Sequence, residues 1–103
     1  MIKVTVMYPN QEGTHFDIDY YCTKHMPLAR RLVGPALLNV SVDEGFAGST
    51  PDSPAPYFAI GHLYFDSMAS FMDSFPAHVP QLLADVPNFT NAHPTIQISN
   101  VKL

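Results

Sequence analysis

The sequence predicts an α+β fold of order βαββαβ, built as a four-stranded antiparallel sheet with both helices on one face. Three observations predict it. Apolar residues alternate with polar ones near both ends and in the middle of the chain, the period of a strand. Two intervening stretches switch to the 3,4 spacing of an amphipathic helix. Clusters of Pro, Gly, Asn and Ser separate these stretches, where a chain turns.

The elements follow in order. Ile2, Val4 and Val6 alternate with Lys3 and Thr5 as a first strand, which Pro9-Asn10-Gln11-Glu12-Gly13 ends. From Asp17, a side chain suited to capping, Ile18, Tyr21, His25, Leu28 and Leu32 draw one stripe down a helix. Gly34-Pro35 stops it. Pro27 lacks a backbone donor, so a kink or break is expected near His25.

Leu38, Val40 and Val42 mark the second strand, and the Pro/Gly/Ser connection from Gly45 to Pro56 is expected to be mobile and dispensable for folding. Tyr57 to Phe65 is apolar on both faces, as in a strand covered on both sides. Asp66 or Ser67 caps a second helix striped by Met68, Phe71, Met72 and Phe75. A short helix is expected over Val79 to Asp85, and Ile96 and Ile98 mark the last strand. This order is that of a ferredoxin-like sheet. It leaves one sheet face bare, and on the third strand that face carries Phe58, Ile60 and Tyr64 or else Tyr57, Leu63 and Phe65. Either set is expected to be too apolar for water, and a second copy pressed sheet to sheet would cover it.

The chain has 103 residues, the size of one domain, so residues 1–103 are read as a single unit. Charged residues make up only 14%, low for a soluble domain and consistent with surface buried by a partner. Five Lys and Arg against nine Asp and Glu cannot form a phosphate-binding patch, which excludes nucleic acid. No apolar run has the length of a membrane span, and no secretory leader is visible, so the cytoplasm is the expected location. Five histidines raise the question of a metal, but none has the H-x-H or H-x-x-x-H spacing, and no metal or cofactor is expected. Cys22, the lone cysteine, reads as a small core hydrophobe.

Tyr8-Pro9, the run Phe16 to Tyr21 followed by His25-Met26-Pro27-Leu28, the run Gly61 to Asp66, and the run Ala84 to Thr90 together resemble the EthD family. That family is named for ethyl tert-butyl ether degradation and falls within the dimeric α+β barrel superfamily. The pattern D-Y-Y-x-x-x-H-x-P-L is the most specific part. The resemblance implies a homodimeric barrel with a pocket between helices and sheet. Superfamily relatives include cofactor-free monooxygenases of polycyclic phenols, lactone isomerases and polyketide cyclases.

His25 is the leading candidate for chemistry, because its stripe turns the imidazole inward and His is suited to acid–base work near neutral pH. It could equally be a core His that fixes the kink. Asp85, at a helix end where a carboxylate is disfavoured, either orients His25 or closes a local turn with the amides of Val86 to Phe89, and the turn is the simpler reading. Tyr8, Tyr21, His62, Tyr64 and Phe89 complete the expected substrate-binding set, with Tyr20 as a further phenol. His62 also reads as a core or interface residue, and His15, His78 and His93 as solvated. The expected function is a cofactor-independent enzyme, of oxygenase, isomerase or cyclase type, for a small apolar or aromatic molecule. The alternative is a non-catalytic accessory that holds such a ligand for a partner oxygenase.

Overall fold

The computed structural model describes residues 1–103. Its strands are β1 (Ile2–Pro9), β2 (Asn39–Glu44), β3 (Tyr57–Phe65) and β4 (Thr95–Asn100). They form one antiparallel sheet in the order β2-β3-β1-β4. Helices α1 (Ile18–Tyr20) and α2 (Met26–Val33) join β1 to β2, and α3 (Met68–Ser74) and α4 (Val79–Asp85) join β3 to β4. The expected α+β architecture is the one observed.

The kink expected near His25 is a widened turn. Residues Tyr21–His25 form one π-helical turn between α1 and α2, closed by the Met26 amide donating to the Tyr21 carbonyl. Pro27 follows at once and has no N–H to offer a tighter ladder. A π turn inserts one residue, and everything after it rotates by one position. Met26, Ala29 and Val33 therefore carry the buried face of α2, while Leu28 and Leu32, assigned to that stripe on sequence, are half-buried beside it. Asp17 caps α1 by accepting from the Tyr20 amide at 3.1 Å, and Gly34 ends α2 at φ +77°, a conformation open to glycine.

On the second helix Ser67, not Asp66, is the cap, accepting from the Ser70 amide at 3.1 Å. Phe71 and Phe75 meet Phe65 edge to face, but Met68 and Met72 are exposed. The contact with β3 is made by the two phenylalanines alone, and the methionine side of the stripe stays outside it. The Gly45 to Pro56 connection is laced by its own bonds, Gly48 to Ser53 and Ser53 to Thr50, and pinned to the β1 end by Asn10.

Strand alternation decides which residues face the helices. Ala59, Gly61, Leu63 and Phe65 of β3 point inward beside Ile2, Val4 and Tyr8 of β1. The open face holds Ile60, His62 and Tyr64, and its middle row, Ser41, His62, Thr5 and Gln97, runs polar across all four strands. Of the apolar sets expected on the third strand, Ile60 and Tyr64 are on this face but with His62 between them, and Met7 is the one other large apolar side chain there. Phe58 is not among them, since it stacks on Phe16 at 6.0 Å beside a slip in the β1–β3 register. His62 Nε2 lies 2.9 Å from Asp43 Oδ2, and its Nδ1 is buried with no partner.

Candidate functional site

Between the inward sheet face and α2 and α4 lies a cavity of about 110 Å³. Apart from His25 and the phenols of Tyr8 and Tyr21, every side chain on its wall is apolar. The widened turn delivers His25 to this wall. Tyr21 and His25 stand at opposite ends of that turn, and their rings stack at 5.5 Å with planes 15° apart. Phe89 packs on the imidazole from another side, at 4.7 Å.

His25 Nδ1 lies 2.8 Å from Asp85 Oδ2, with both side chains largely buried. Asp85 Oδ1 accepts from the Tyr20 hydroxyl at 2.7 Å and from Asn88 Nδ2 at 3.0 Å. Burial works to raise the pKa of this carboxyl, but the bonds from Tyr20, His25 and Asn88 outweigh it and hold Asp85 below the usual carboxylate range. An ionised carboxylate can only accept, so the neutral imidazole carries its proton on Nδ1 and keeps a lone pair on Nε2. Burial pushes the Tyr8 phenol up to about 12, offset in part by the Tyr21 hydroxyl, and raises Tyr21 further. Both are protonated donors at neutral pH.

A depressed carboxyl pKa has a stability consequence. Asp85 contributes fully above the unfolded carboxylate value near ~4, and the contribution is lost as pH falls through its lower folded value. The melting-temperature gap between the protein and Asp85→Asn is therefore expected to be widest near neutrality and to close in acid. A gap independent of pH from 7 to 2.5 would contradict the pairing.

The structure thus brings His25 and Asp85 together, where sequence reasoning leaned toward a local turn: the carboxylate takes no bond from the amides of Val86 to Phe89. Tyr8 and Tyr21 line the cavity as expected. Phe89 does not; it is fully buried behind His25 and shapes the site by holding the ring. His62 and Tyr64 lie on the opposite sheet face, because Gly61 and Leu63 take the inward positions of β3. Cys22 is exposed, one step off the buried stripe, and His78 is half-buried, while His15 and His93 are exposed. Sequence reasoning missed Tyr20 and Asn88 as partners of Asp85. The spacing of Asp85 and Asn88 carried a signal, since residues three apart on a 3₁₀ turn share a face.

The chain is similar in sequence and fold to known proteins. The chain is 28% identical over 97 residues to an uncharacterised 11.0 kDa protein from the thcB–thcC intergenic region of Rhodococcus erythropolis, covering 93% of this chain and 90% of that one. The crystal structure of an EthD-like protein from Ralstonia eutropha JMP134 superposes with a TM-score of 0.92 at 38% identity, over 99% of this chain and 92% of that one. An ethyl tert-butyl ether (EthD) family protein from Bacillus halodurans C-125 shares the fold, with a TM-score of 0.70 at 18% identity over 99% of each chain. The family model described as the EthD domain matches residues 14–93, and the chain belongs to the EthD family.

Proposed function

We propose that this chain is a cofactor-independent enzyme that removes a proton from a small apolar or aromatic carbon acid. The observation that supports it is the His25–Asp85 bond of 2.8 Å on the wall of a cavity otherwise lined by apolar side chains and two neutral phenols. His25 Nε2 is the base, and Asp85 fixes the tautomer and stabilises the imidazolium that forms. Tyr8, as a protonated donor, is placed to meet an enolate or phenolate oxygen as charge develops. Oxygenation, isomerisation and ring closure of such substrates all begin with this step. Residues 1–103 act as one domain, and the working unit is a homodimer joined through the open sheet faces. Low charge, the Met7–Ile60–Tyr64 surface and the buried, unpaired His62 Nδ1 support that pairing.

The test uses 2-tetralone, an aromatic ketone with an acidic ring methylene, in D₂O. Protein-dependent deuterium uptake, followed by proton NMR, is expected to fall about 100-fold or more in His25→Gln. Tight binding of 2-tetralone without accelerated exchange would favour an accessory that only holds its ligand. Exchange that survives His25→Gln unchanged would remove His25 as the base.

A further inference from the structure

We propose that each cavity is closed by the second copy of the chain, whose Phe46 covers the cavity mouth. Two unexplained apolar surfaces point to this. Phe46, in the β2–β3 connection, is 94% exposed and packs on nothing in its own chain. At the opposite edge of the sheet, Ile96 and Leu83 line the cavity yet are 57% and 56% exposed, so the cavity opens through an apolar mouth beside β4. Ile98, the next inward position on β4, extends that surface.

Topology says how they meet. β2 and β4 are the two edge strands and run in opposite directions, so the end of β2 and the start of β4 lie at the same end of the sheet. Phe46 follows the end of β2 by two residues, and Ile96 is the second residue of β4. Within one chain, two strands intervene, a separation of roughly 14 Å at the usual interstrand spacing, so Phe46 cannot reach its own cavity. A two-fold axis parallel to the strands, with open faces in contact, sets β2 of one protomer beside β4 of the other with these ends level. Phe46 then lies over the mouth formed by Ile96 and Leu83, and symmetry repeats the contact at the second cavity. The inference rests on the sheet-to-sheet dimer proposed above and adds that the site is incomplete without the partner. A ligand enters and leaves past an aromatic side chain that the other protomer supplies.

The test starts from Cys22→Ser, which removes the lone exposed cysteine. Phe46→Cys combined with Ile96→Cys, oxidised in dilute solution, is expected to give a covalent dimer on a non-reducing gel, whereas Phe46→Cys alone stays largely uncrosslinked. Phe46→Ala is expected to keep the dimer mass in light scattering and to weaken 2-tetralone binding at least threefold. A particle of 11.4 kDa would overturn the dimer and this inference with it. A dimer that neither crosslinks between these positions nor loses affinity in Phe46→Ala would overturn the inference alone. So would equal crosslinking by Phe46→Cys on its own, since Phe46 would then meet its own counterpart.

Discussion

Gly61→Ala is expected to destabilise the protein by about 1–3 kcal/mol and to disturb the cavity at the same time. Gly61 occupies an inward position in the middle of β3, and a methyl group there would collide with the Tyr21 hydroxyl and press on Met26 Cε at 3.0 Å. The strand backbone is ordinary at this point, so conformational freedom is not the reason for the glycine. The absent side chain is the reason: the Tyr21 phenol stands where a Cβ would be. Tyr21→Phe removes the hydroxyl, so it should restore part of the stability lost in Gly61→Ala. The rescue is expected to be incomplete, because the ring Cζ would still stand 3.2 Å from the new methyl. Thermal melts of the two single variants and the double variant read this directly. Additive losses would show that Tyr21 is not what the glycine accommodates.

The second large effect concerns the pair at the cavity wall. Asp85→Asn keeps shape but reverses polarity, since the new amide can donate to Nδ1 and so move the imidazole proton to Nε2. His25 would then lose its free lone pair without moving. Asp85→Asn is expected to reduce deuterium uptake by 2-tetralone at least tenfold, and the double variant with His25→Gln to be no worse than His25→Gln alone. Full additivity of the two losses would mean that the residues act separately. Tyr20→Phe offers a graded comparison: it removes the 2.7 Å bond to Asp85 and leaves His25 bound, so a smaller loss is expected.

These residues also show how far a sequence carries. Alternation in β1, β2 and β4, the unbroken apolar run of β3 and the capping residues Asp17 and Gly34 placed the elements, because such signals are local. Pro27 announced an irregularity but not its kind. Once the turn widened, the predicted stripe was right at Tyr21 and His25 and one residue off from Met26 onward. The doubly apolar β3 left its inward set open, since either alternate set looked fit for a core. Gly61, the residue that decides the matter, is silent in hydropathy. His25 and Asp85 were each singled out, but their contact spans 60 positions and depends on how α4 lies over the π turn. No spacing in the chain encodes that. The polar row across the open face escaped notice for a related reason, since its members come from four separate strands.

The widened turn separates two tasks that an uninterrupted helix would tie together. Up to its last residue, Tyr20, Tyr21 and His25 settle against the aromatic cluster of Tyr8, Phe16 and Phe89, and behind it α2 settles against the aliphatic layer of the sheet. With one surplus residue between them, each half finds its own rotation about the axis. Substitutions in the first half can re-aim the imidazole while the second half keeps its fit. The direction of the imidazole and the fit of the core are thereby set by separate stretches of one helical segment.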